Sequence, residues 1–146
     1  MQQELVKDWM STDVISVTPD ASLADADQLM ITHVIRRLPV LEEDGTLLGI
    51  VTYGDIRSAR PSRASTLHMW ELESMAAHLK VAEFMTTRPL TIQENATIGK
   101  AAQLMLNNMI SGLPVLNKAG ELVGIITESD IFRLVAKNWA RRATAV

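Results

Sequence analysis

Two rhythms of apolar residues alternate along the chain. Leu23, Ala26, Met30 and Val34, with Leu29 beside them, have the spacing of one helix face. Ser22 with Asp25 three residues on gives that helix a capping-box start, in an Asp variant. Leu38–Leu41 and Leu47–Thr52 are instead short apolar runs around Asp44-Gly45, which predicts a β-hairpin whose turn glycine takes positive φ. Ile50-Val51 is a continuous apolar pair, as in a strand covered on both faces. Val6–Met10 reads as a single helical turn, Val14-Ile15-Ser16-Val17 as a short extended piece, and a second helix begins near Thr52.

The layout returns 75 residues later, with Thr97 in the place of Ser22. Met10, Ala26, Met30, Gly45, Gly49, Thr52 and Asp55 recur as Met85, Ala101, Met105, Gly120, Gly124, Thr127 and Asp130. Leu38-Pro39-Val40-Leu41 recurs as Leu113-Pro114-Val115-Leu116, and Pro89-Leu90-Thr91-Ile92 repeats the extended piece. No gap interrupts the register between Val6–Ile56 and Val81–Ile131, so the chain is an internal duplication. Each copy reads as β-α-β-β-α, an α+β layout. The second helix stripe runs Ile98, Ala101, Leu104, Met105, Met109, and its methionines are read as core.

The expected organisation is a first repeat over 1–57, a linker with a helix over 58–80, and a second repeat over 81–146 carrying a C-terminal helix. Ser58–Ser65 has linker composition. From Thr66 a helix is expected, with Leu72, Met75, Ala76 and Leu79 on one face and Trp70 near its edge. Ile131, Leu134, Val135 and Trp139 predict the apolar stripe of the last helix, and Lys137, Arg141 and Arg142 near its end complement the helix dipole. That is more apolar surface than one pair of repeats needs, and it points to a self-association face.

Each copy, at around fifty residues, is too short to bury a core comfortably, so the two are expected to fold together. The net charge of −3 argues against general electrostatic binding to nucleic acid. With no cysteine, disulfides, a thiolate nucleophile and cysteine-ligated zinc are excluded. Met1–Met10 carries Glu4, Lys7 and Asp8 and does not read as a signal peptide, and no apolar run approaches the roughly 20 residues of a membrane span. A cytoplasmic protein is expected.

The pattern with chemical content is Thr-x-x-Asp directly after a buried strand, at Thr52/Asp55 and Thr127/Asp130. It has two readings. In one, the threonines are N-caps and the aspartates the acidic partners of capping boxes. In the other, a strand end meets a helix N-terminus in a crevice, where free amides attract phosphate and a carboxylate accepts two hydrogen bonds from a ribose diol. His33, His68 and His78 have no metal-ligand spacing, and Glu42-Glu43-Asp44 reads as a solvated loop. Arg57, Arg60 and Arg63 form a short basic patch in or beside the linker. No nucleophile elbow, glycine-rich phosphate loop or dinucleotide fingerprint is present.

Taken together, Val6-x-x-x-Met10-Ser11, Leu38-Pro39-Val40 and Gly49-Ile50-Val51-Thr52-x-x-Asp55-Ile56, with their copies Val81-x-x-x-Met85-Thr86, Leu113-Pro114-Val115 and Gly124-Ile125-Ile126-Thr127-x-x-Asp130-Ile131, resemble a tandem pair of cystathionine-β-synthase (CBS) domains, a Bateman module. The resemblance spans nearly the whole chain. It implies two repeats packed about a pseudo-twofold axis, with two clefts that take AMP, ADP, ATP or S-adenosylmethionine as regulatory ligands. The aspartate would hold the ribose, and the adenine would lie against the extended piece and the Leu-Pro-Val strand.

Carried over to this chain, one cleft would use Thr127 and Asp130 with Val14, Ile15, Arg36, Arg37 and Pro39. Its twin would use Thr52 and Asp55 with Pro89, Leu90, Ile110 and Pro114. Arg36-Arg37 stand where the second copy has Ser111-Gly112. A guanidinium matches phosphate in fork geometry, so the Asp130 cleft is expected to take a phosphorylated adenosine and the Asp55 cleft an uncharged tail or a weaker ligand. The other reading of the two arginines is decoration of an exposed helix end. The expected function is thus a nucleotide-sensing regulatory module, with no catalytic residues, no metal, no obligatory cofactor, no nucleic-acid or membrane partner, a homodimeric state and an unidentified protein target. Two alternatives stay open: an interaction module with vestigial clefts, and a regulatory fragment of a longer enzyme or transporter.

Overall fold

The computed structural model describes residues 3–60 and 68–144. In chain order the elements are α1 (Val6–Trp9), α2 (Leu23–His33), β1 (Arg37–Leu41), β2 (Leu47–Thr52), α3 (Tyr53–Ala59) and α4 (Met69–His78). After a 3₁₀ turn at Val81–Glu83 come β3 (Thr86–Thr87), β4 (Ile92–Gln93), α5 (Ile98–Asn108), β5 (Gly112–Leu116), β6 (Leu122–Thr127) and α6 (Glu128–Thr144). This is the α+β arrangement the duplicated pattern predicts. No helix among the described residues is long and apolar enough to cross a membrane.

The chain divides into two compact units, and they do not follow the repeats. Ile15–Pro89 form a middle unit, and a split unit joins the chain start, through Val14, to everything from Leu90 onward. Each copy has therefore handed its leading segment to the other unit. In the split unit, Ser11 bridges Ile125 and the Val6 amide donates to the Ala96 carbonyl at 2.9 Å. In the middle unit, Thr86 in β3 pairs with Ile50, and the Val81 amide donates to the Ala21 carbonyl at 2.8 Å. The two sets of contacts are the same contacts, 75 residues apart.

Within each unit the hairpin is the spine. β1 pairs antiparallel with β2 and β5 with β6, each with a bulge before its last residue, at Val40/Leu41 and Val115/Leu116. Gly45 and Gly120 turn the hairpins at φ 89° and 81°, where a side chain would be strained. The extended pieces run parallel to the hairpins. Ile92-Gln93 pairs with Val115-Leu116, and in the middle unit this contact shrinks to a single bridge, Val17 to Val40.

Helices cover one face of each hairpin. Ser22 caps α2 as predicted, its hydroxyl accepting from the Asp25 amide at 3.0 Å while the Asp25 carboxylate accepts from the Ser22 amide. Leu23, Ala26 and Met30 enter the middle core beside Leu38, Val40, Val51, Ile56 and Val81. Ile98, Ala101 and Met105 of α5 do the same in the split core, with Val6, Leu113, Val115, Ile126 and Leu134. α4 packs against α2 without burying a residue fully; Ala76 and Leu79 supply its contact with the middle core.

Some expectations fail for local reasons. Val34 and Met109 are not in the stripes: each is a left-handed C-cap, at φ 53° and 52°, and they are 90% and 93% exposed. The helix ends one residue before the apolar period does, and the reversal turns both side chains outward. On α6, Leu134 is buried and Ile131 packs on the core, but Val135 and Trp139 are exposed. Ser58 and Ala59 belong to α3, Arg60 is its C-cap, and α4 starts at Met69; residues 61–65 of the linker-like stretch and the proposed start at Thr66 lie outside the described residues.

Glycine is required where the exchanged segment meets the hairpin. A Cβ on Gly49 would stand 2.5 Å from the Thr86 carbonyl oxygen, and one on Gly124 would stand 2.8 Å from that of Ser11. Both obstacles are backbone. Gly49→Ala should therefore cost about 2 kcal/mol, read as a lower urea midpoint at unchanged slope. Gly99→Ala, inside α5 with only the Thr97 hydroxyl at 3.8 Å, should be neutral or stabilising.

Candidate functional site

The Thr-x-x-Asp pairs occupy equivalent corners of the two units, where β2 runs into α3 and β6 into α6. In the middle unit the Thr52 amide donates to Asp55 Oδ2 at 2.8 Å, and the Asp55 amide donates to Thr52 Oγ1 at 3.2 Å. This is a full capping box. The Thr52 hydroxyl, accepting here, keeps its own proton free to donate, and the carboxylate keeps Oδ1. Among the described residues, the Thr52 amide is the donor that reaches this carboxylate.

The split unit is built differently. The Thr127 amide and hydroxyl both donate to Asp130 Oδ2, at 2.9 and 3.2 Å, and Arg133 Nη1 donates to Oδ1 at 2.6 Å. Both carboxylate oxygens are thus engaged. Asp130 is the buried charged side chain of the described residues, 6% exposed. An ion held that far from water is stable only with such partners.

The cap reading holds in full at Thr52 and Asp55 and in half at Thr127 and Asp130, where the carboxylate takes the Thr127 amide but the hydroxyl donates to it. It does not exhaust either aspartate, because a carboxylate offers about four lone-pair sites and the cap uses one oxygen. Asp55 in particular could take a further donor without giving up its cap.

The segment before each hairpin strand lies beside these corners. The Arg36 carbonyl accepts from the Tyr53 amide at 2.8 Å, and Arg37 faces Thr52 across the strand pair. Their counterparts repeat this: the Ser111 carbonyl accepts from the Glu128 amide at 3.0 Å, and Gly112 faces Thr127. Within one unit, then, Arg36 and Arg37 are neighbours of Thr52 and Asp55, whereas the sequence reading had grouped them with Asp130. Ile110, grouped there with Asp55, shares its unit with Thr127 and packs on the split core.

The remaining expected positions are dispersed. Pro39 and Pro114 sit fully buried in mid-strand, opposite Ile50 and Ile125. Val14 and Ile15 are half-buried and stand where the chain leaves the split unit for the middle one; Pro89 and Leu90 stand where it returns. A groove of about 300 Å³ in the middle unit runs between Asp27, Met30, Ile31, Val34, Ile35, Arg36 and Tyr53. Tyr53 and Asp27 carried no signal in the repeat pattern, since their counterparts are Glu128 and Ala102.

The other polar groups resolve into ordinary surface chemistry. Arg57 lies over the Tyr53 ring and Arg60 pairs with Asp27, while Arg63 lies outside the described residues. Asp44 accepts from the Thr46 side chain and backbone, which holds its carboxyl below the usual range, in the turn where a solvated acidic loop was expected. No group of three histidine, aspartate or glutamate side chains able to hold a metal occurs among the described residues.

Known proteins resemble this chain in sequence and in fold. The family model of the CBS domain matches residues 6–62 and again 81–137. A CBS domain-containing protein of Dictyostelium discoideum is 37% identical over 134 residues, covering 91% of this chain and 92% of the relative. Inosine-5′-monophosphate dehydrogenase of Mycobacterium tuberculosis is 36% identical over 136 residues, 90% of this chain but only 23% of the enzyme. Among solved structures, a CBS domain pair in complex with 5′-methylthioadenosine and S-adenosyl-L-methionine superposes with a TM-score of 0.78 at 31% identity, over 94% of this chain and 99% of the other. An Arabidopsis thaliana CBS-pair protein, solved in complex with AMP, gives 0.77 at 27%, over 92% and 97%. Two copies of one family signature, on the two halves of a duplicated α+β chain, make this protein a member of the CBS-domain family, a tandem CBS pair.

Proposed function

We propose that this protein is a regulatory module that binds an adenosine-containing ligand, AMP, ADP, ATP or S-adenosylmethionine, and carries out no reaction of its own. One observation carries the reading. Asp55 is anchored by a single oxygen beside a threonine hydroxyl with a free proton, in the unit whose Arg36 carbonyl accepts from the Tyr53 amide, while similar pairs were solved with AMP and with S-adenosylmethionine. A ribose diol supplies the two donors a half-used carboxylate accepts, and the fixed threonine amide keeps that carboxylate in place.

The ligand would lie at the two strand-to-helix corners, one centred on Thr52 and Asp55, the other on Thr127 and Asp130, with Val14, Ile15, Pro89 and Leu90 as further contacts. Pro39 and Pro114 would act from within their strands as rigid backing. Because Arg36 adjoins Thr52 within one unit, the phosphate-bearing ligand belongs with Asp55 and the uncharged tail with Asp130. Ile110 would back the Asp130 corner it adjoins. The sequence reading, with Arg36 and Arg37 serving the Asp130 site, is the alternative that the variants below separate.

The signal would be conformational. A ligand that prefers one geometry of the repeats, or of two subunits, shifts that population, typically by 1–3 kcal/mol of coupling. We place this module in the cytoplasm, where such ligands are abundant, acting as a homodimer on a protein target. Phe132, Val135 and Trp139 form an exposed apolar stripe at helical spacing on α6, the kind of surface a second subunit covers.

Two measurements test this. In a thermal-shift titration, the true ligand at about 100 times its dissociation constant should add about 2.7 kcal/mol of stability. Asp55→Ala should abolish the AMP response and Asp130→Ala leave most of it; no response to any of the four ligands would leave a binding module of another kind. Light scattering should give a dimer mass, and the double change Phe132→Ser with Trp139→Ser should return the monomer.

A further inference from the structure

The two copies of Thr-x-x-Asp differ in the role of the threonine hydroxyl and in one ion pair, and the ion pair predicts how the two sites divide their work. Asp130 Oδ1 is held by Arg133, one helical turn along α6, at 2.6 Å. The register places Ser58 at the matching position after Asp55. Arg57, two residues after Asp55, lies over the Tyr53 ring instead, 5.9 Å from its centre. So the same carboxylate is fully occupied in one unit and half free in the other.

We propose that Arg133 is a latch on Asp130: its guanidinium occupies the carboxylate oxygen that a ribose diol needs, and sets the affinity and order of filling of the two sites. The inference rests on reading Asp130 as a diol acceptor, as proposed above. Two features make Arg133 a movable latch rather than a fixed strut. The aspartate side chain is 8% exposed, whereas that of Arg133 is 68% exposed and reaches in from solvent. The buried partner is also held independently through Oδ2 by the Thr127 amide and hydroxyl, so losing Arg133 leaves Asp130 in position.

A diol entering this corner must send Arg133 back to water, and the lost pair subtracts from the gain of binding. A mostly solvated cation makes that cost modest, so the latch biases the site without closing it. The Asp55 corner carries no such cost. Ligand therefore fills the Asp55 site first and the Asp130 site only at higher concentration, which gives one chain two thresholds for one class of ligand.

Adenosine is the probe, because it carries the diol and has no phosphate for a released guanidinium to follow. Measured by isothermal titration in an Asp55→Ala background, Arg133→Ala should tighten adenosine binding roughly three-fold. It should leave 2′-deoxyadenosine unchanged, a distinction that a purely structural arginine would not produce. The reciprocal change Ser58→Arg, in an Asp130→Ala background, should weaken adenosine at the remaining site by a similar factor. An unchanged or weakened affinity in the Arg133→Ala protein overturns the latch, as does an equal gain for the deoxy compound. Adenosine binding that needs Asp55 or Asp130 yet ignores Arg133 refutes the latch alone. No adenosine binding in any variant refutes the ligand reading together with it.

Discussion

The close approach of a glycine in each second hairpin strand to a foreign backbone governs this structure. Gly49 meets the Thr86 carbonyl and Gly124 meets that of Ser11. Each hairpin is thereby completed by a segment whose own sequence copy lies in the other unit. The pairing is short, two residues in β3 and one bridge at Ser11. Its leverage comes from the helical turn just before it, which buries Val81 in one core and Val6 in the other. Polar backbone at the hairpin edge is satisfied by this loan, since strand amides left without partners beside a core would be costly.

The same corners show how one motif serves architecture and chemistry together. A threonine at the end of a buried strand caps the following helix, and an aspartate three residues on returns the bond. That arrangement fixes a carboxylate within a narrow range of positions by local chain geometry alone. Whether the group is then available is decided one turn later, by whether a cation reaches its second oxygen. Asp55 and Asp130 share the strand-to-helix scaffold and differ in that respect and in the role of the threonine hydroxyl, which accepts at Thr52 and donates at Thr127. A duplicated chain can in this way keep one fold and let its two sites drift apart.

Much of this was legible in the chain. The helix stripes, the hairpins with their turn glycines and the capping hydroxyls at Ser22 and Thr97 all depend on residues within a few positions of each other, and each appears twice. The exchange of leading segments was not legible, because Val6 and Val81 bury equally well against either copy and local pattern carries no record of which core receives them. Periodicity also ran past the true helix ends, since an apolar residue in the reversing position fits the stripe although its backbone has already left the helix. Arg133 was readable as the residue a turn after Asp130, but acquires meaning only once that carboxylate is seen to be buried.

Val34 and Met109 leave the chain with an unresolved tension. A left-handed helix terminus suits glycine or asparagine, and a β-branched valine there sits about 1–2 kcal/mol above them. Both residues also hold bulky apolar groups out in water. Neither backbone comfort nor hydration recommends them, so a thermostabilised variant would be expected to lose them first. Whatever such a variant gained in robustness would come at two equivalent points on the outer surface of the units, and the trade-off between rigidity and association would be settled there.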